Sequence, residues 1–149
     1  MDNKITPGEI VVMAAGAVGF IATFLPFADP PLGGSVNAWE GDFFGFFPIT
    51  TLIGIYLLVA GGLVALNKFA NMNFGSVLGF TLVQIVFALC FFAAIQAIGY
   101  LLAEFSGADR GIGYWLMLLS ALAGIVGSVL LTNERRGAGT GPGAGTGTI

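Results

Sequence analysis

The sequence predicts an all-α fold, a four-helix transmembrane bundle, and three observations carry this prediction. Hydrophobic residues make up 56% of the 149-residue chain and charged residues only 9%, whereas a soluble domain carries about 25% charged residues. Four apolar runs are near or above the ~20 residues that a helix needs to cross a bilayer. One longer loop separates the first two runs, and two short polar segments separate the second, third and fourth. We therefore expect one domain over residues 1–136, followed by a Gly/Ala/Thr-rich tail over residues 137–149 that is flexible because glycine recurs throughout it.

The first span is expected over about residues 8–27 and the second over about residues 48–66. Thr6-Pro7-Gly8-Glu9 has the pattern of a capping box with proline at the first helical position, which predicts a helix start there. The first run lacks a small-residue cleavage site at its end, so we interpret it as a retained span rather than a secretory signal. Small residues at every fourth position allow close approach of another helix, and here they are Ala15, Gly19 and Thr23.

The third span is expected over about residues 74–105 and the fourth over about residues 112–132. The third is the longest, so we expect it to tilt or to extend beyond the lipid. Gly75 and Gly79 form a Gly-x-x-x-Gly pair near its start. Trp115 follows the start of the fourth span, where aromatic side chains mark the membrane boundary. The most regular small-residue stripe lies further along that span, at Ser120, Gly124 and Ser128.

Two glutamines, Gln84 and Gln96, are the strongly polar residues of the third run. Their spacing of twelve puts them within about 120° on a helical wheel, and both are expected to point into protein rather than lipid. Hydrogen bonds between helices are one interpretation. The alternative is that the two amides line a substrate pathway.

The loop from Ala28 to Pro48 is the one long internal segment that is not apolar throughout. Asn37 is a candidate cap for a short turn ending at Glu40, and proline and glycine break any continuing helix. The loop is rich in aromatic side chains, which suit the membrane–water boundary. It is either a lid on its own bundle or a docking surface for a partner, because exposed aromatic clusters also mark interfaces. The candidate lid or partner residues are Trp39, Phe43, Phe44, Phe46 and Phe47.

A resemblance to a known group rests on three features of the first half of the chain. Phe24-Leu-Pro-Phe27 ends the first span, Ser35-Val-Asn-Ala-Trp-Glu-Gly41 follows, and a phenylalanine-rich segment leads into the second span. In these features the chain resembles a group of small actinobacterial four-span integral membrane proteins of unassigned function. The resemblance implies a four-span fold in a cytoplasmic membrane, and it implies no catalytic or binding residues.

The distribution of basic residues predicts the orientation in the membrane. With both termini in the cytoplasm, Lys4, Lys68, Arg135 and Arg136 lie inside and Arg110 lies outside, which agrees with the positive-inside bias. The outer face is then acidic. Carboxylates bind hard cations, but the spacing of these residues matches no calcium loop, so no metal site is predicted. The outer carboxylates are Asp29, Glu40, Asp42, Glu104 and Asp109.

Several kinds of chemistry are disfavoured by the composition. The chain has no histidine, its single Cys90 lies in an apolar run, and it contains no phosphate-binding Gly-x-x-x-x-Gly-Lys-Ser/Thr motif. No ionisable residue lies within the four apolar cores, whereas proton-coupled transport usually requires an intramembrane carboxylate or histidine. No basic patch for nucleic acid is present. We therefore expect a non-enzymatic protein without a cofactor.

Three functions remain open at the level of the sequence. The favoured hypothesis is a small accessory or assembly subunit that packs through its small-residue stripes against a larger membrane complex or against copies of itself. One alternative is a passive pore or holin-like permeabiliser, formed by an oligomer around the face of Gln84 and Gln96. The other is a lipid or small-molecule binder that uses the aromatic loop at the outer face.

Overall fold

Four helices make up most of the computed structural model, which describes residues 4–30, 33–40, 49–72, 74–77, 79–102 and 109–139. The helices are α1 (Pro7–Ala22), α2 (Ile49–Phe69), α3 (Leu82–Leu102) and α4 (Ile112–Gly139). The described parts of the connections contain five short strands: β1 (Pro26–Asp29), β2 (Val36–Asn37), β3 (Ser76–Val77), β4 (Phe80–Thr81) and β5 (Asp109–Arg110). The prediction of a mainly helical protein with four helices is confirmed.

Three of the helices, α2, α3 and α4, are long and apolar enough to cross a membrane. The fourth, α1, is apolar but has 16 residues, which corresponds to about 24 Å of helix against about 30 Å of hydrocarbon. The expected first span of residues 8–27 is therefore too long as a helix. Pro26 explains the difference, because proline disfavours helical geometry at the preceding residue and cannot donate its own backbone hydrogen bond.

The start of α1 agrees with its sequence pattern. The Glu9 amide donates to Thr6 Oγ1, and the Thr6 amide donates to a Glu9 carboxylate oxygen at 2.9 Å, so the predicted capping box is confirmed. Pro7 occupies the first turn. These bonds satisfy two of the backbone amides that a helix start leaves without partners.

The helices pack as an antiparallel ring in which α1 contacts α2 and α4, and α3 contacts the same two helices. A Cβ built on Gly16 would lie 2.9 Å from Gly61 Cα, and one built on Gly8 would lie 2.7 Å from the Leu131 amide nitrogen. Such short approaches are possible only where glycine or another small residue faces the neighbouring backbone.

A three-stranded antiparallel sheet, in the order β2-β1-β5, joins the two loops at one end of the bundle. Ala28 of β1 pairs with Val36 on one side and with Arg110 on the other. The all-α prediction omits this sheet because strands of two to four residues carry too little alternating pattern to be recognised. We call this end, with the sheet and the Ala38–Glu40 segment, the outer cap.

The third run is shorter as a helix than predicted. β3 and β4 pair as an antiparallel hairpin, and α3 begins at Leu82 rather than near residue 74. Gly75 and Gly79 have φ angles of +52° and +84°, a left-handed conformation that glycine adopts readily and a helix excludes. The expected Gly-x-x-x-Gly packing pair is therefore wrong.

The fourth helix is longer than predicted. It continues beyond residue 132 through the charged segment to Gly139, so two of its glycines and one alanine belong to the expected tail. One cause is a tertiary contact: a Glu134 carboxylate oxygen accepts a hydrogen bond from the Gly8 amide at 3.1 Å. A carboxylate at the N-terminus of α1 is also favoured by the helix dipole. Residues 140–149, the rest of the tail, lie outside the described residues.

Small side chains fill much of the interior, whereas large apolar side chains cover much of the exterior. This arrangement suits a bundle in lipid, where apolar residues are favoured outside and close helix contacts need small residues inside. Buried small residues occur on all four helices and include Ala22, Ala60, Ala93, Ala97, Ala121 and Ser128. Exposed large ones include Ile21, Val59, Phe92, Ile95, Leu119 and Val126.

Candidate functional site

Trp39 is held in the outer cap by the end of α1. Its indole Nε1 donates to Thr23 Oγ1 at 2.8 Å, and Thr23 Oγ1 in turn donates to the Phe20 carbonyl at 2.6 Å. The indole stacks on Phe24 with the ring centroids 5.5 Å apart and meets Phe20 edge-on. Thr23 is fully buried, whereas Trp39 keeps 43% of its surface exposed. The indole thus contacts its own bundle through its nitrogen and through Phe20 and Phe24, and the rest of its surface remains accessible.

The turn that carries Trp39 is clamped between two helices. Asn37 Oδ1 accepts from the Trp39 amide at 2.8 Å, so Asn37 caps the turn as its sequence position predicts. The Ala38 amide donates to the Thr23 carbonyl at 3.1 Å. The Ala38 carbonyl accepts the hydroxyl protons of Thr50 and Thr51 at the start of α2. A single buried residue of the loop is therefore bonded to the end of α1 and to the start of α2.

The four phenylalanines of the predicted lid, Phe43, Phe44, Phe46 and Phe47, lie outside the described residues. The geometry of the predicted lid or partner surface is therefore given for Trp39 alone. What sequence analysis missed is the role of Thr23, which was expected as a packing residue and is the hydrogen-bonding partner of the indole.

A second polar cluster of the outer cap was not predicted. Arg110 Nη2 donates to the Leu101 carbonyl at 2.7 Å, which satisfies a free carbonyl at the end of α3. The Tyr114 hydroxyl donates a hydrogen bond to the Ala97 carbonyl at 3.0 Å. The Arg110 guanidinium lies 5.9 Å from the Tyr114 ring centroid. The signal in the sequence was Arg110 itself, the one basic residue on the expected outer face.

The two predicted small-residue stripes lie at helix contacts. Ala15, Gly19 and Thr23 of α1 are buried, as are Ser120, Gly124 and Ser128 of α4. A Cβ built on Gly19 would lie 3.2 Å from Ser120 Cβ, and one built on Gly124 would lie 2.7 Å from Cys90 Sγ. The first stripe therefore faces α4 as well as α2, and Gly124 faces α3.

The two glutamines have different environments. Gln84 is exposed and accepts from the Thr81 amide at 2.8 Å and from the Thr81 hydroxyl, so it caps the start of its own helix. The expectation that Gln84 points into the protein is therefore wrong, because the hairpin moves the helix start next to it. Gln96 is partly buried, and its buried Oε1 atom has no hydrogen-bond partner within the described part of the chain.

The opposite end of the bundle carries a small charged network. Lys68 Nζ lies 3.3 Å from a Glu9 carboxylate oxygen and donates to the Lys4 carbonyl at 2.7 Å. Together with the bond from Gly8 to Glu134, these contacts tie the start of α1 to the ends of α2 and α4. Sequence analysis placed these basic residues on one side of the membrane without pairing them.

The described residues line at least three open apolar grooves on the outside of the bundle. The first, the α1/α4 groove, has a volume of about 340 Å³ and a floor of small residues, Ala14, Ala15, Ser120 and Ala123. The second, the α1/α2 groove, has about 190 Å³ and includes Ala17. The third has about 320 Å³ and lies along α3 beside Phe80 and Phe92. The α1/α4 groove is distinguished by a buried hydroxyl group, that of Ser120.

The described residues contain no group of three His, Cys, Asp or Glu side chains that could hold a metal ion. Cys90 is buried at the contact between α3 and α4. Comparison of the chain with protein-family models, curated proteins and solved structures gave no match. The site therefore has to be interpreted from its own geometry: a clamped aromatic cap and an open groove of small residues.

Proposed function

We propose that this chain is a non-enzymatic integral membrane protein that acts by helix packing, as an accessory or assembly subunit of a larger membrane complex or as a homo-oligomer. The observation that carries the proposal is the α1/α4 groove. Small residues there remain open to the lipid side, as they also do in the smaller α1/α2 groove, whereas large apolar side chains cover much of the rest of the exterior. Small residues at a helix surface are the usual contact points between transmembrane helices.

The packing of the interior supports this role over a pore through a single chain. Ile53, Val86 and Met117, from three different helices, are fully buried among small residues. Conduction requires a continuous polar or dewetting path, and these side chains fill the bundle. A pore around the two glutamines is also less well supported, since Gln84 bonds to Thr81 at its own helix start.

The proposal includes a location and an orientation. The protein lies in the cytoplasmic membrane with four spans, as the resemblance to actinobacterial four-span proteins implies. Both termini lie in the cytoplasm, as the distribution of basic residues predicts. The α1 helix completes its crossing with the apolar residues that follow it, since Phe27 and Ala28 of β1 are buried against the bundle. The basic network of Lys4 and Lys68 then faces the cytoplasm, in agreement with the positive-inside bias.

Filling the α1/α4 groove should prevent association. Ala14 is exposed and contributes to the groove floor, so Ala14→Leu adds bulk there without entering the core. We expect this variant, purified in mild detergent from its native membrane, to lose at least tenfold of the associated subunits or of its own oligomer. Size-exclusion chromatography with light scattering, followed by identification of the associated subunits, measures the loss.

Ala17→Leu is the matched control, because Ala17 is also exposed on α1 but lines the α1/α2 groove. It should retain the wild-type assembly. Loss of assembly with Ala17→Leu and not with Ala14→Leu would show that the docking face is the α1/α2 groove and not the α1/α4 groove. A wild-type protein that runs as a monomer without partners would contradict the proposed function altogether.

A further inference from the structure

The α1/α2 groove ends at charged residues on the side of the bundle opposite the outer cap, which we call the inner end. Met13 and Ala17 line the groove on α1, and Ala65 lines it on α2. Glu9 lies four residues before Met13, and Lys68 lies three residues after Ala65. Residues three or four apart are neighbours on one helix face. The apolar groove therefore leads to the Glu9–Lys68 ion pair.

Three residues at this point, Lys4, Glu9 and Lys68, form what we call the inner cluster. Lys68 Nζ lies 3.3 Å from a Glu9 carboxylate oxygen and donates to the Lys4 carbonyl at 2.7 Å. An ammonium group has three protons, so one remains for a further acceptor. Lys4 is exposed, and its ammonium forms no ion pair within the described part of the chain. Two lysines and one glutamate leave the cluster with a net charge of +1.

The inner cluster lies at the depth of lipid headgroups. The α2 helix has 21 residues, which corresponds to about 32 Å, close to the thickness of about 30 Å of the hydrocarbon region. Lys68 is the second-last residue of this helix. The groove begins one turn deeper at Ala65 and continues to Leu58, about 10 Å further along the helix. A positive charge at headgroup level is thus followed by an apolar hollow at the level of acyl chains.

We propose that the α1/α2 groove binds an anionic phospholipid of the cytoplasmic leaflet, with one acyl chain in the groove and the phosphate at Lys4 and Lys68. The inference rests on the orientation given under the proposed function, in which the inner end faces the cytoplasm. Basic pockets between transmembrane helices on that side bind anionic headgroups. The third proton of Lys68 and the ammonium of Lys4 are the donors to the phosphate oxygens.

Charge distinguishes this groove from the other two. Along α4, Glu134 lies eleven residues after Ala123, about three turns, so a carboxylate follows the α1/α4 groove at its inner end. The third groove lies along α3, and none of the described residues of β3, β4 and α3 is basic. Of these three grooves, the α1/α2 groove is the one that leads to lysines, and its inner end is complementary to a phosphate.

The size of the groove suits an acyl chain better than a helix. Its volume of about 190 Å³ is little more than half of that of the α1/α4 groove. It is open at Gly62, where an added Cβ would meet no described atom within 4 Å, and at the exposed Ala17. An α-helix is about 10–12 Å across with its side chains, whereas a flexible acyl chain can follow a narrow hollow.

A comparison of two lipids tests the headgroup contact. Dioleoyl phosphatidylglycerol and dioleoyl phosphatidylcholine have the same acyl chains and differ in net charge. Native mass spectrometry of the full chain, titrated with each lipid in mild detergent, should show tighter binding of phosphatidylglycerol. Lys4→Gln should weaken this binding by about fivefold, the contribution of one basic residue near anionic lipid, and leave phosphatidylcholine binding unchanged.

Arg135→Gln is the matched control for Lys4→Gln. It removes one positive charge from the same end of the bundle, but Arg135 is exposed on α4 and does not belong to the inner cluster. Phosphatidylglycerol binding should remain at the wild-type value. Equal affinity for the two lipids, or equal losses in the two variants, would overturn the binding of a headgroup at Lys4 and Lys68.

Filling the groove tests the position of the acyl chain. Ala17→Leu should weaken phosphatidylglycerol binding by about tenfold, which corresponds to about two methylene groups displaced from the groove. Ala14→Leu, which adds the same bulk to the α1/α4 groove, should leave lipid binding unchanged. Unchanged binding in Ala17→Leu would overturn the inference.

The same two variants distinguish this inference from the proposed function. If Ala14→Leu removes the assembly and Ala17→Leu leaves the lipid bound, the lipid site is wrong and the assembly role stands. If the wild type is a monomer without partners but loses phosphatidylglycerol with Ala17→Leu, the assembly role is wrong and the lipid site stands. If Ala17→Leu removes an associated subunit and no lipid, a partner helix occupies the groove and the lipid site is wrong.

Discussion

Single hydroxyl groups account for much of the hydrogen bonding inside this bundle. Thr23, Thr50, Thr51 and Tyr114 each donate a hydrogen bond to a backbone carbonyl, and Thr50 and Thr51 share the buried Ala38 carbonyl of the loop. An unpaired polar group in an apolar surrounding costs several kcal/mol. These residues therefore allow loop and helix-end backbone to be buried at the outer cap, and Thr23 in addition accepts the indole proton of Trp39.

The bond between Trp39 and Thr23 should stabilise the cap measurably. Trp39→Phe retains a ring but removes the Nε1 donor, so we expect a loss of about 1 kcal/mol in the free energy of unfolding. Trp39→Ala also removes the contacts with Phe24. Truncation of buried aromatic residues lowers the free energy of unfolding by about 3–5 kcal/mol. Because Trp39 is 43% exposed, we expect the loss for Trp39→Ala to lie near the lower end of this range. Unfolding by denaturant in detergent measures both.

Trp115→Phe is a close control for this comparison. Trp115 has the same exposed fraction of 43%, and its indole nitrogen makes no hydrogen bond to any described residue. Its replacement should change the stability by less than that of Trp39. If Trp39→Ala unfolds like the wild type but no longer retains a partner, the outer cap is a docking surface rather than a lid.

At the scale of elements, glycines determine how closely the helices approach. Gly16 and Gly61 bring α1 against α2, and Gly124 brings α4 against α3. The sequence predicted the contact at Gly124, because small residues recur there at every fourth position. Gly61 belongs to a shorter small-residue stripe of the second span, but Gly16 was not predicted. A close crossing needs one small residue on each of two helices, and the pairing of the two positions is not visible in either run alone.

The contact at Gly124 is tight enough for a single methyl group to disturb it. Its Cβ would lie 2.7 Å from Cys90 Sγ, so Gly124→Ala should destabilise the bundle by about 1–3 kcal/mol, as overpacking does, and Gly124→Leu by more. Adding Cys90→Ala removes the sulfur and should recover part of this loss. A double-mutant cycle in thermal unfolding measures the coupling between the two positions.

Gly62→Ala supplies the control for this cycle. A Cβ at Gly62 meets no described atom within 4 Å, and alanine is the better helix former by about 0.5–1 kcal/mol. We expect a neutral or slightly stabilising effect. Additive effects of Gly124→Ala and Cys90→Ala would show that the two residues do not press on each other, contrary to the structure.

At the scale of the whole molecule, charge is divided between the two ends. Lys4, Lys68, Arg135 and Arg136 lie at the end of the bundle where α1 begins and α4 ends, together with Glu9 and Glu134, whereas Asp29, Glu40 and Asp109 lie at the outer cap with Arg110. Arg110 is the basic residue at this otherwise acidic end. It donates hydrogen bonds to carbonyls at the end of α3, which gives its position a structural reason. The division predicts the orientation in the membrane.

Cysteine labelling tests this orientation. In a Cys90→Ala background, Ser35→Cys and Asn133→Cys place thiols at exposed positions on opposite ends of the bundle. An impermeant thiol reagent added to whole cells should label position 35 and leave position 133 unlabelled, and both should react after permeabilisation. The reverse pattern would invert the topology.

The sequence by itself determined the class of protein, the number of helices and the capped start of α1 at Thr6. These properties depend on composition, on the length of apolar runs and on residues three apart, all of which are local. It predicted Trp39 as the residue to examine, but not its bond to Thr23.

Only the tertiary structure decided where the helices end and which faces meet. The ends of α1 and α3 are set by short strands, which involve Pro26 in β1 and lie beside Gly75 and Gly79 in the β3–β4 hairpin. The fourth helix extends because the Glu134 carboxylate accepts a hydrogen bond from the Gly8 amide. The open groove with Ser120 also appears only when α1 and α4 lie together. These features depend on contacts between residues far apart in the chain, and such contacts leave no periodic pattern in either segment.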